Sequence, residues 1–146
     1  MDDLGSFLWQ AKKSSHAVNG DFFEKDGMKY FIFRHGFYRF EDRKIGDQYY
    51  SGQEIVYKDK EPLWTMAYSG GLLTDDVTEE AINTFINESL LEEKNRNLIR
   101  GPSFFQKDNF IYLNEFQGDL ARFNGREYIR YDGKNVYELH YSGGYL

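Results

Sequence analysis

Tyr50-Ser51-Gly52-Gln53-Glu54, running on to Tyr68-Ser69-Gly70-Gly71, returns without a gap as Phe123-Asn124-Gly125-Arg126-Glu127 running on to Tyr141-Ser142-Gly143-Gly144. Gly52/Gly125, Glu54/Glu127 and Asp59/Asp132 match in identity, and Val56/Ile129, Trp64/Tyr137 and Met66/Leu139 match in kind. Upstream, Phe22-Phe23-Glu24-Lys25-Asp26-Gly27 echoes Phe104-Phe105-Gln106-Lys107-Asp108-Asn109. The pattern predicts one domain over residues 1–146 with an internal duplication, residues 22–71 and 104–144. The competing explanation is convergence on hairpin-friendly residues in a tyrosine-rich β protein. The first copy is longer by nine residues between its blocks, and the insertion is expected in the charged stretch from Arg39 to Ile45.

Each copy reads as strands and tight turns. Gln53 to Tyr57 and Leu63 to Tyr68 alternate as a hairpin around Lys58 to Glu61, as do Arg126 to Tyr131 and Asn135 to Tyr141 around Asp132-Gly133. Period-two alternation puts Trp64, Met66 and Tyr68 on one face, and Tyr137, Leu139 and Tyr141 on the matching face. That aromatic face is expected to be core. Gly70-Gly71 and Gly143-Gly144 are expected to allow a sharp reversal or a close backbone approach. Phe37 to Phe40 reads as a strand and Glu41 to Lys44 as a loop.

Two helices complete the outline. Asp2 or Asp3 would cap a short one that buries Leu4, Phe7, Leu8 and Ala11, with Lys12 and Lys13 in its last turn. Asp75 to Lys94 is the clearer, with Asp76 and Glu79 at capping-box spacing. Its inward stripe is Ala81, Ile82, Phe85, Ile86, Ser89 and Leu90. The fold class is therefore α+β. Two hairpin-rich halves form a curved, mainly antiparallel sheet packed against an N-terminal helix and a central amphipathic helix at about 75–95.

Composition narrows the function classes. The chain has 146 residues, no cysteine, 13 Phe, 12 Tyr and a formal net charge of -6. Disulfides and cysteine-ligated metal are excluded, and the absence of an apolar leader or spanning run points to a soluble cytoplasmic protein. A direct nucleic-acid or membrane-surface role needs a basic footprint that the charge disfavours. No two of His16, His35 and His140 have metal-ligand spacing, so neither metal nor cofactor is expected. Ser69 and Ser142 sit before Gly-Gly but lack the Gly-x-Ser-x-Gly pattern of a nucleophile elbow.

The residues resemble a bacterial domain-of-unknown-function family (family 5680) that occurs alone or C-terminal to a helix-turn-helix domain. The resemblance runs through Phe7-Leu8, Ala11-Lys12-Lys13, Gly52-x-Glu54, Leu63-Trp64-x-Met66-x-Tyr68-x-Gly70, Arg100-Gly101-Pro102, Gly118-Asp119, Phe123-x-Gly125-x-Glu127, Val136-Tyr137-Glu138 and Gly143-Gly144. It covers nearly the whole chain but departs from the pattern between Asn19 and Lys44. It supplies no catalytic residues and implies an accessory or sensing domain.

Glu54 and Glu127 are the most suggestive pair. Converging, they would act as acid and base or hold a cation. Repeated residues more often serve a repeated structural need, so hydrogen bonding to backbone or pairing with an Arg of the same half is the favoured use. A ligand site at the interface of the halves would be built from Glu54, Trp64 and Tyr68 with Glu127, Tyr137 and Tyr141. The expected function is a non-enzymatic domain binding a small molecule or a protein. The alternatives are a small hydrolase-like enzyme using the paired glutamates, and a structural protein that oligomerises through exposed strand edges.

Overall fold

The computed structural model describes residues 3–16, 21–92 and 99–146. The element order is α1 (Asp3–His16), β1 (Asp21–Lys25), β2 (Met28–His35), β3 (Tyr38–Gly46), β4 (Tyr49–Lys58), β5 (Glu61–Leu72), α2 (Glu79–Leu90), β6 (Phe104–Lys107), β7 (Phe110–Asp119), β8 (Arg122–Tyr131) and β9 (Lys134–Tyr145). The strands form one nine-stranded antiparallel sheet in the order β1-β2-β3-β4-β5-β9-β8-β7-β6. Two meanders thus meet at their last strands, and both helices pack on the sheet. The fold is α+β.

Local chemistry explains the hairpins. Asp26-Gly27, Asp59-Lys60 and Asp132-Gly133 all take positive φ, as a tight primed turn requires. β4–β5 is bulged between Val56 and Tyr57, and β8–β9 is bulged between Ile129 and Arg130. These are matched positions of the two blocks. Where the meanders join, Tyr68 lies directly opposite Tyr141.

The core is the aromatic face. Trp64, Met66, Tyr68, Tyr137, Leu139 and Tyr141 are all buried, with Trp64 stacked on Phe123 at 5.7 Å between centroids. Each helix contributes one phenylalanine to a matching aromatic cluster. Phe7 of α1 packs on Phe33 (5.8 Å) and Tyr38 (5.0 Å), while Phe85 of α2 packs on Phe105 (5.6 Å) and Phe110 (5.1 Å). So α1 sits on β2–β3 as α2 sits on β6–β7.

Several expectations need correction. Glu41 to Lys44 is not a loop: β3 continues to Gly46, because Phe40, Asp42 and Lys44 alternate with Arg39, Glu41 and Arg43 in register with β4. The extra length of the first half is consequently not a loop between Arg39 and Ile45. It is a whole strand, β1, at the sheet's edge. In the sheet order the counterpart of β6–β7 is β2–β3, so the echo of Phe22–Gly27 in Phe104–Asn109 falls on unmatched strands. The central helix spans Glu79–Leu90 rather than 75–95, and its cap is Thr78, whose side chain accepts from the Ala81 N–H at 3.1 Å. Asp76 lies before that cap. The two glycine pairs stand inside strands and not at reversals. A methyl group at Gly70 or Gly143 would strike the backbone of the strand beside it, so both mark close approach. Asp2, Asn19-Gly20 and the expected helix end at Lys94 lie outside the described residues, as does the side chain of His16. No described helix is long and apolar enough to cross a membrane.

Candidate functional site

The site grows from the two Gly-x-Glu steps. Gly52 faces Tyr68 across β4–β5, and Gly125 faces Tyr141 across β8–β9. A methyl group at either glycine would collide with the ring end of its tyrosine. Each ring thus lies over a glycine and delivers its hydroxyl one strand further. Tyr68 Oη donates to Asp42 Oδ1 at 2.6 Å, and Tyr141 Oη donates to Asn114 Oδ1 at 2.7 Å. Asp42 is the cross-strand partner of Glu54, and Asn114 is the partner of Glu127. Each half therefore carries the same frame: tyrosine, glycine, glutamate and a short polar acceptor.

The second frame is closed. Glu127 is 1% exposed. Its Oε1 accepts from Arg100 Nε at 2.9 Å and Nη2 at 2.6 Å, and its Oε2 accepts from Tyr112. Asn114 donates to the Gly101 carbonyl at 3.1 Å and its N–H bonds the Ser103 carbonyl. A buried carboxylate with a fork of guanidinium donors and a phenol has its lone pairs met.

The first frame differs in charge and closure. Aspartate replaces asparagine, so two carboxylates face each other across β3–β4. Glu54 is 6% exposed, and its Oε1 pairs with the Lys12 ammonium at 3.1 Å. Lys12 donates to the Ile99 carbonyl and lies over the Trp64 ring at 5.8 Å. It points inward, not along the carbonyl end of α1. Burial lowers the Lys12 pKa, opposed by the Glu54 charge. Burial, then repulsion from Glu54, pushes the Asp42 carboxyl up to about 6, against the Tyr68 hydrogen bond.

A cavity of about 330 Å³ opens over this first frame. Asp42, Lys44, Glu54, Tyr50 and Tyr68 form its sheet side, and Asn83, Ile86 and Asn87 of α2 face them. Phe22 and Phe31 flank it, and Arg100 reaches it from beside Glu127. Of the six residues expected from the sequence, Glu54 and Tyr68 line this cavity. Trp64 is 0% exposed and donates from Nε1 to the Leu120 carbonyl at 3.1 Å. Tyr137 is buried with its hydroxyl against that of Tyr50, and Tyr141 and Glu127 belong to the closed frame. Asp42, Lys44 and Asn83 were missed. The strand alternation that reveals the first two was hidden by the charged composition of β3. Among the described residues no three His, Asp or Glu side chains gather as a metal site.

Comparison with curated proteins and with solved structures gave no match. A family model does match, over residues 42–146, starting at Asp42 itself and leaving α1, β1 and β2 outside. That span is narrower than the near-complete resemblance expected from the sequence, yet it covers most of the chain. The chain belongs to the family described as Domain of unknown function (DUF5680).

Proposed function

We propose that this chain is a non-enzymatic small-molecule-binding domain whose ligand sits in the cavity between β2–β5 and α2. One observation carries the reading: of two frames alike in geometry, one is closed by Arg100 and Tyr112, and the other faces a cavity with a carboxylate pair. A cavity of about 330 Å³ lies in the usual size range of small-ligand sites, where apolar walls surround a few convergent polar groups. Phe22, Phe31 and Ile86 supply the walls, and Asp42, Glu54, Tyr68 and Asn83 the polar groups.

A second reading has one specific support. Asp42, with its carboxyl at about 6, stands opposite Glu54, and such a pair suits proton transfer to and from a bound substrate. The acid and base would then be Asp42 and Glu54, not Glu54 and Glu127, because Glu127 is engaged by Arg100 and Tyr112.

A thermal-shift screen of small polar metabolites against the wild type and an Asn83→Trp variant tests the first reading. Asn83 is exposed on α2 and lines the cavity, so an indole there takes up ligand space while leaving both carboxylates in the chain. Stabilising compounds are expected for the wild type and lost in the variant. A screen without hits, or hits indifferent to Asn83→Trp, would overturn the assignment.

A further inference from the structure

The charges in the cavity are laid out in rows by strand register. Phe31, Asp42, Glu54 and Met66 are consecutive cross-strand partners over β2–β5, and so are Lys29, Lys44, Gly52 and Tyr68. Cross-strand partners share a face. One row thus presents two acids, and the next presents two lysines. The rows are two residues apart along each strand, roughly 7 Å. Tyr68, from the lysine row, bonds Asp42 in the acid row and ties the two together.

The rows offset each other only in part: the Asp42 and Lys44 charges favour one another's ionised form, but less than burial disfavours it. The ion partner of Glu54 is Lys12, and that of Lys29 is Asp47 at 2.9 Å. Lys44 lies over the Tyr50 ring at 5.0 Å. Burial lowers the Lys44 pKa, with the Asp42 charge opposing, while burial raises that of Asp42. Both ionised forms are therefore undercompensated where they stand. A simple cation entering this cavity meets Lys29, Lys44 and Arg100, and a simple anion meets Asp42 and Glu54. A neutral ligand leaves both rows as they were. Only a molecule carrying both charges satisfies both.

Resting on the binding reading above, we propose that the ligand is a small zwitterion, a free amino acid with an apolar side chain. Its ammonium is held by Asp42 and Glu54 and its carboxylate by Lys44 and Lys29. The four-carbon lysine stems let their ammonium groups close on a carboxylate anywhere across the gap between the rows. The side chain lies against Phe22, Phe31 and Ile86, which form the apolar part of the wall. Asn83 on α2 offers a carboxamide from the opposite side.

The test is calorimetric titration of the common L-amino acids one at a time. The N-acetyl and carboxamide derivatives of the best binder follow, on the wild type and on Asp42→Asn, Lys44→Met and Asn83→Trp. Asp42→Asn recreates the residue found at Asn114 and retains the acceptor for Tyr68, so folding is retained, as circular dichroism will check. A free apolar amino acid is expected to bind the wild type, and each blocked derivative to bind at least about tenfold more weakly. Asp42→Asn is expected to weaken the free amino acid while sparing the N-acetyl form, and Lys44→Met to spare the carboxamide. Equal affinity of the blocked and free forms would overturn the zwitterion assignment. So would silence from every amino acid while other compounds bind in a manner abolished by Asn83→Trp, and the cavity would then remain the site. Binding unaffected by Asn83→Trp would remove the cavity itself.

Discussion

Asp42 and Asn114 show how one atom changes the chemistry of a shared frame. Both accept a tyrosine hydroxyl, but only Asp42 ionises, and it does so opposite Glu54. Its folded pKa of about 6 stands above the ordinary value of 3.8, so the folded chain holds that proton more tightly than the unfolded chain. The resulting stabilisation is complete below the unfolded pKa and is lost as pH rises through the folded one. Asp42→Asn is therefore expected to match the wild type near pH 4 and to exceed it by about 1–3 kcal/mol above pH 6, read from urea melts across that window. A constant difference at all pH values would contradict it. The other frame behaves oppositely. Arg100→Met leaves the Glu127 carboxylate buried beside Tyr112 alone and is expected to cost about 3–5 kcal/mol. Adding Glu127→Leu should recover most of that loss, since a shape-matched apolar pair needs no compensation. Additive losses in the double variant would show that the ion pair itself is the stabilising element.

At the scale of elements, short polar groups and periodicity set the boundaries. Thr78 begins α2 by accepting from the Ala81 N–H, and Glu79 and Glu80 place negative charge in the first turn. Thr78→Ala should lower stability by about 1 kcal/mol in thermal melts, with no effect from Asp76→Ala. Equal effects at the two positions would restore the capping box once expected at Asp76. This difference marks where the sequence was legible. The buried stripe of α2 and the alternation of Trp64-x-Met66-x-Tyr68 could be read directly, because burial imposes a period that composition displays. The glutamates of both frames could be picked out from their repetition. The second part of β3, from Glu41 onward, could not, since its inward positions include Asp42 and Lys44, and charge at an inward position mimics a loop. The role of Arg100 was equally hidden, because nothing local ties it to Glu127, 27 residues away. The similar placement of α1 and α2 shows in Phe7 and Phe85, each of which packs on two aromatic rings.

For the whole molecule, we propose that one helix-and-meander unit was copied, and that β1 was added at one edge. The matched bulges, the Tyr68/Tyr141 pairing and the two phenylalanine clusters support this. Such copying would account for two frames alike in geometry. One is sealed by Arg100 and Tyr112, and the other carries charge toward a cavity. Hydrogen exchange is expected to protect β5 and β9 most and to fall outward in step, with β4 resembling β8 and β3 resembling β7. Exchange that divides the sheet at β5–β9 into one stable and one labile half would contradict a single cooperative sheet. The division of labour between the frames is tested most directly by a carbon-detected NMR titration of the side-chain carboxyls, with Asp42 assigned through Asp42→Asn. A midpoint near 6 for Asp42 is the expected result, and a midpoint in the ordinary aspartate range would mean that its carboxyl is not held in a desolvated, acid-paired seat.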